Sequence, residues 1–179
     1  VSDISALTLA DGAAPVPTTY SYLDVDADGV VDRLDVTFTE NIAYDECEAG
    51  DYTIGGADAG SLAVSACATS GDDLRLTMTG GASDDTSLTL VFSYSQSAGT
   101  ASSLDDSSGN YAVSITTESV SDGAAPVAIS AEYLDTDADG TVNRVDVTFS
   151  EAVTLGSYVA GDWSFPEGSE LTLVDTGAS

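Results

Sequence analysis

Residues 11–42 read DGAAPVPTTYSYLDVDADGVVDRLDVTFTENI, and residues 122–153 read DGAAPVAISAEYLDTDADGTVNRVDVTFSEAV. Twenty of these 32 positions are identical at a fixed offset of 111 residues. The match continues through Ala49-Gly50-Asp51-Tyr52 against Ala160-Gly161-Asp162-Trp163, and Leu62 meets Leu171 after a two-residue slip. A period this long is the size of a domain, so the pattern predicts a tandem array of whole domains rather than a solenoid of small units. On this offset residues 11–121 form a complete first repeat, and 122–179 hold the N-terminal half of a second. Residues 1–10 read as the last strand of a preceding repeat, since Ile4 falls over Ile115. The expectation is a segment of a longer surface polypeptide. The alternative is a second repeat completed by a strand from another chain.

Charge removes most chemistries. The chain carries 31 acidic residues against three basic ones (Arg33, Arg75, Arg144), no Lys and no His, for a net charge of −28. Without His there is no imidazole base and no Ser-His or Cys-His nucleophile; without Lys there is no Schiff base. A field this acidic repels nucleic acid and anionic lipid surfaces. A carboxylate pair of the glycosidase kind is the chemistry left, and the acidic residues sit in turns, so no enzyme is expected. The apolar fraction of 42% suffices for a core. No apolar run is long enough to span a bilayer, and the first residues, Val1-Ser2-Asp3, do not read as a signal peptide.

Period-two alternation marks strands at Leu34–Phe38, Leu74–Met78 and Leu88–Tyr94, with Gly, Asp and Ser clusters between them. The first repeat is predicted to hold strands at 15–23, 33–39, 51–55, 61–67, 73–79, 86–95 and 111–118. Seven short strands in roughly 110 residues predict an all-β fold of tandem Ig-like β-sandwich domains. Asp122-Gly123-Ala124-Ala125-Pro126 marks the junction, with Pro126 starting an edge strand.

Three features occur in order: Val36-Thr37-Phe38-Thr39-Glu40 (repeated as Val147–Glu151), then Asp51-Tyr52-Thr53-Ile54, then Leu104-Asp105-Asp106-Ser107-Ser108-Gly109-Asn110. Together they resemble the bacterial Ig-like repeats of cell-surface proteins, of the S-layer, large-adhesin and swimming-associated type. The resemblance covers nearly all of the first repeat and the first half of the second. It implies an extracellular location, self-association into an array or filament, and structural or adhesive work. Given that setting, Cys47 and Cys67 are expected to form a disulfide closing a loop of about twenty residues, worth roughly 3 kcal/mol. Two buried free thiols are the other reading.

The chain departs from that family in an acidic insertion between the first two strands. It reads Asp24-Val25-Asp26-Ala27-Asp28-Gly29-Val30-Val31-Asp32, and recurs as Asp135-Thr136-Asp137-Ala138-Asp139-Gly140-Thr141-Val142-Asn143. Carboxylates at positions 1, 3 and 5, Gly at 6 and a side-chain oxygen at 9 suit calcium, which takes six to eight oxygens. The expected ligands are Asp24, Asp26, Asp28, the Val30 carbonyl and Asp32, then Asp135, Asp137, Asp139, the Thr141 carbonyl and Asn143. Position 12, Asp35 or Asp146, lies in a strand and is a doubtful ligand, so the loops look more like the strand-flanked calcium loops of integrin α-chain propellers than an EF-hand. Crowded carboxylates would splay these hairpins without a cation, and Asn143 would weaken the second site. The competing reading is a solvated acidic turn. Two calcium ions cancel only four of the 28 excess negative charges, so further cation sites are considered at Asp105, Asp106 and Asn110, with Asp122 at the junction. Asp72-Asp73 and Asp84-Asp85 are expected to keep turns soluble.

The leading functional expectation is a structural repeat of an extracellular assembly, such as an S-layer, filament or adhesin stalk, stiffened by calcium. The alternative is an adhesive module binding carbohydrate or cells, which an exposed cluster of Tyr20, Tyr22 and Tyr44 would favour. Trp163 reads as a core aromatic.

Overall fold

A computed structural model describes residues 9–44, 46–81, 86–96, 100 and 103–154. Ten strands follow in chain order: β1 (Pro17–Leu23), β2 (Arg33–Phe38), β3 (Tyr52–Gly55), β4 (Ala63–Ser70), β5 (Asp73–Thr79), β6 (Val91–Tyr94), β7 (Ile115–Ser119), β8 (Ser121–Asp122), β9 (Ala128–Leu134) and β10 (Arg144–Phe149). A single 3-10 turn at Ala49–Asp51 is the helical structure among the described residues. None of their helices is long and apolar enough to cross a membrane.

The strands form three sheets, ordered β4-β5-β2-β1-β8, β3-β6-β7 and β9-β10. Strand β2 shows why the first two bury one core between them. Leu34, Val36 and Phe38 point inward while Arg33, Asp35 and Thr37 stay half-exposed, as the pleat requires. Tyr22, Leu74, Leu76 and Met78 join them from the same sheet; Tyr52, Phe92, Tyr94 and Ile115 meet them from the second. The ring of Tyr52 stacks on those of Tyr94 and Phe92, with centroids 5.4 and 6.3 Å away. Each fully buried Leu or Phe contributes about 1.5–3 kcal/mol. The chain is therefore all-β, with its main core in the first repeat.

The seven expected strands are present, and the sixth and seventh are the most shortened. The sixth begins at 91 rather than 86 because its preceding amides donate elsewhere. Leu88 N–H goes to the Tyr22 hydroxyl at 2.9 Å, and Thr89 N–H goes to Asp58 Oδ2 at 2.8 Å. The seventh begins at 115 rather than 111, since Tyr111 bridges back to Asp105 and Ala112 N–H donates to Leu104 O at 2.9 Å. Strand β8, two residues long, is too short for periodicity to reveal; it lies parallel to β1, with Ser121 opposite Ser21 and Asp122 opposite Tyr22. Strand β9 starts at Ala128 rather than at Pro126, and Val127 N–H donates to Ser150 Oγ at 3.0 Å.

Cys47 and Cys67 form a disulfide with Cα atoms 5.7 Å apart. It ties the segment before β3 to the middle of β4.

The repeat is visible in register. Leu23 faces Arg33, Tyr20 faces Val36 and Pro17 faces Phe38, with a bulge between Pro17 and Thr19. In the second hairpin Leu134 faces Arg144, Ala131 faces Val147 and Ala128 faces Phe149, with the irregularity between Thr148 and Phe149. Each of these pairs is displaced by the same 111 residues. The apolar residues of β10 (Val145, Val147, Phe149) are half-buried where Leu34, Val36 and Phe38 are buried. Trp163, Asp84 and Asp85 lie outside the described residues.

Candidate metal centres

Each acidic loop closes an antiparallel hairpin, β1–β2 or β9–β10. The hairpin ends are fixed by Asp32 N–H donating to Leu23 O at 3.1 Å and by Asn143 N–H donating to Leu134 O at 3.0 Å. Between them the chain must turn tightly, and it does so through left-handed backbone at Ala27 (φ 58°) and Gly29 (φ 87°). The second loop repeats this at Ala138 (φ 59°) and Gly140 (φ 88°). Glycine accepts such angles freely, whereas an alanine there is strained by roughly 1–2 kcal/mol.

Side-chain oxygens hold the turn. Asp24 Oδ2 accepts Gly29 N–H at 2.8 Å and its Oδ1 accepts Asp28 N–H at 3.3 Å. Asp28 Oδ1 accepts Val30 N–H at 2.9 Å, and Asp32 Oδ1 accepts Val25 N–H at 3.1 Å. The second loop repeats these four bonds. Asp135 takes Gly140 N–H at 2.8 Å and Asp139 N–H at 3.2 Å, Asp139 takes Thr141 N–H at 2.7 Å, and Asn143 Oδ1 takes Thr136 N–H at 2.9 Å. These donors revise the expectation that crowded carboxylates alone would splay the hairpins, because backbone amides already offset part of the negative charge.

The turn brings Asp24, Asp26 and Asp28 together, each offering a carboxylate oxygen within 4.8 Å of the others; Asp135, Asp137 and Asp139 do the same. Both trios could hold a metal ion. An all-carboxylate donor set suits a hard cation. Burial raises the pKa of Asp26, with the charges of Asp28, Asp32 and Asp24 acting in the same direction. Asp135 is lowered, chiefly by the Gly140 N–H. Val30 is half-buried and Val31 is buried in the core, which anchors the loop as its apolar position 8 predicts.

Position 12 is taken up elsewhere. Arg33 Nε stands 3.0 Å from Asp35 Oδ1 as an ion pair without hydrogen-bond alignment, and Arg144 donates to Asp146. Two-residue spacing in a strand puts each arginine on the face of its carboxylate. Burial raises the pKa of Asp35 against the lowering effect of Arg33.

A third acidic group joins Asp11, Glu40 and Asp106, again within 4.8 Å. Asp106 is buried; its Oδ1 accepts Ser108 and Asn110 N–H, both at 2.8 Å, and its Oδ2 accepts Asn110 Nδ2 at 2.7 Å. Those bonds, the Asn110 side chain first, lower its pKa. Burial raises Glu40, followed by the charges of Asp106 and Asp11. Asp106 and Asn110 thus come together as expected, with Asp11 and Glu40 rather than with Asp105 or Asp122. Asp105 bridges Ala43 and Tyr111 through its backbone, and Asp122 lies in β8. The overlooked signal was recurrence: Asp11 and Glu40 return as Asp122 and Glu151.

Tyr20, Tyr22 and Tyr44 form no exposed cluster. Tyr22 is buried, and Tyr20 and Tyr44 are half-buried against the core, with Tyr44 donating to Cys67 O at 2.5 Å. Asp73 binds the Thr37 hydroxyl at 3.0 Å and pairs with Arg75 at 3.5 Å, so it braces the sheet as well as solvating a turn. Comparison with protein-family models, curated proteins and solved structures gave no match.

Proposed function

We propose that this chain is a structural repeat protein of an extracellular surface assembly, built from tandem Ig-like β-sandwich domains whose hairpin loops bind calcium. The observation that carries this reading is the repetition of one loop geometry at two places a domain apart. Four hydrogen bonds and two left-handed residues recur around a carboxylate trio. A merely solvated acidic turn has no need to keep a strained alanine in the same place twice. In each site the three carboxylates would be joined by the carbonyl of Val30 or Thr141 and the side-chain oxygen of Asp32 or Asn143. The ion would supply positive charge to a cluster that otherwise repels itself.

The mechanical consequence follows from linkage. At free calcium about 100-fold above the dissociation constant, each site adds roughly 2.7 kcal/mol to the folded state. That is a sizeable share of a domain stability of about 5–15 kcal/mol. Such a chain, carrying no His and no Lys, serves as a spacer, lattice or filament unit rather than as a catalyst. The test is thermal melting with millimolar calcium and with EGTA. A higher melting temperature and slower proteolysis in calcium are expected; identical curves would remove the reading.

A further inference from the structure

The same position of the repeat has two different environments. Thr39 in the first repeat and Ser150 in the second each close the inner strand of their hairpin. Their N–H groups donate to Val16 O and Val127 O at 2.9 and 2.8 Å, and their hydroxyls accept Val16 and Val127 N–H at 3.1 and 3.0 Å. Thr39 is exposed, but Ser150 is 5% exposed. What covers Ser150 is the first repeat: its hydroxyl lies 2.9 Å from Thr86 Oγ1, itself fully buried, and its carbonyl accepts Thr86 N–H at 3.3 Å. Gly12 and Gly123 differ in the same way. A Cβ on Gly12 would meet nothing within 4 Å, whereas one on Gly123 would lie 2.3 Å from Ser21 Oγ and 3.0 Å from Tyr22 O. The linker is close because it is a strand: β8 pairs with β1, and Gly123 N–H donates to Tyr22 O at 3.0 Å.

We infer that the end of one repeat formed by β1 and Thr86 is a socket for the Ser150 corner of the next, so that successive repeats are locked head to tail at a fixed angle without metal. The seat is specific in chemistry. It presents a buried hydroxyl and an amide to a residue that offers both a hydroxyl and a carbonyl, and the linker leaves little room for a side chain at Gly123 beside Ser21 and the Tyr22 carbonyl. Buried hydrogen bonds of this kind are costly to leave unmade, which holds the corner in place. None of these contacts uses the carboxylates of the two loops, so stiffness at the joint and stiffness of the hairpins are separate properties.

The test is a full-length variant carrying both Thr86→Cys and Ser150→Cys, oxidised under conditions that form the Cys47–Cys67 bridge, with pairing read by peptide mass mapping. The two introduced thiols are expected to pair with each other to the same extent in calcium and in EGTA. Introduced thiols that stay free, or that pair with Cys47 or Cys67, overturn the inference. So does pairing that requires calcium, because the loops would then organise the joint. Adding Gly123→Val is expected to slow pairing several-fold, and Gly12→Val to leave it unchanged. Equal rates in the two would show that β8 does not hold the corner. Failure of the calcium reading would appear in the melting experiment alone and leave these outcomes intact.

Discussion

Asn143 Nδ2 donates to Asp137 Oδ1 at 3.1 Å across the second acidic loop. Its own Oδ1 is engaged by the N–H and hydroxyl of Thr136, both at 2.9 Å. The first loop has Asp32 at this position, which has no donor to offer Asp26 and instead adds negative charge beside it. The two sites therefore share a backbone and differ in one charge and two side-chain hydrogen bonds, since Val25 has no hydroxyl to match that of Thr136. The second has a neutral amide that satisfies a carboxylate a cation would otherwise take.

This difference predicts unequal affinities. With full water screening, one unit charge about 4 Å from another is worth about 1 kcal/mol, and a divalent ion doubles that. Asn143→Asp also adds repulsion among the loop's carboxylates, which offsets part of that gain, so it is expected to tighten calcium at the second loop by roughly tenfold, about 1.4 kcal/mol. Asp32→Asn is expected to weaken the first by a similar factor. Isothermal titration of both variants checks this, and unchanged affinities in both would show that position 9 takes no part.

Asp24 and Asp26 are expected to behave differently although both belong to one trio. Asp24 holds two backbone amides, whereas the Asp26 pKa is raised by burial and by three neighbouring carboxylates. In EGTA, Asp24→Ala is expected to destabilise the hairpin by about 1–2 kcal/mol, since two amides lose a charged acceptor. Under the same conditions Asp26→Ala is expected to be neutral or mildly stabilising, because it removes repulsion. In calcium both variants lose the metal-dependent rise in melting temperature. Denaturant melts in the two buffers separate the roles; equal losses in EGTA would contradict the division.

Much of this was legible because of periodicity and repetition. Alternation placed Leu34, Val36 and Phe38 on the inner face of β2, and the offset of 111 residues singled out the acidic loops as paired objects. Features made by tertiary closure were not legible. The Asp11–Glu40–Asp106 group joins three separate segments; the repeat hinted at Asp11 and Glu40, but nothing in the sequence showed that they meet Asp106. Strand β8 rests on the parallel edge of β1 rather than on its own two residues. The late starts of β6 and β7 arise because amides such as Leu88 N–H find the Tyr22 hydroxyl instead of a ladder partner, which only the folded neighbourhood decides.

Reduction probes the Cys47–Cys67 bridge, which spans 20 residues. The chain-entropy model assigns such a loop about 3 kcal/mol. Treatment with a thiol reductant is expected to lower stability toward urea by about that amount while leaving calcium affinity unchanged. The bridge fastens β4, and the loops sit on hairpins β1–β2 and β9–β10. A calcium affinity that fell with reduction would mean that the bridge and the loops are coupled through the sheet.

Alkali is expected to unfold the protein through its buried phenols. Burial pushes Tyr22 up to about 12, reinforced by the nearby Asp122 carboxylate and opposed by the Leu88 N–H that its hydroxyl accepts. Burial also raises Tyr52, Tyr94, Tyr20 and Tyr44. A group whose folded pKa lies above its unfolded value of about 10 retains more protons when folded. Its stabilising contribution is therefore complete below about pH 10 and is lost as pH rises toward and through 12. Tyr22→Phe is expected to make that alkaline loss shallower, because one phenol no longer has to ionise. At neutral pH the same change destabilises by about 1–2 kcal/mol by leaving Leu88 N–H without its acceptor. Urea midpoints from pH 8 to pH 12 measure both effects at once, and a Tyr22→Phe curve parallel to the parent throughout would assign the alkaline transition to the other tyrosines.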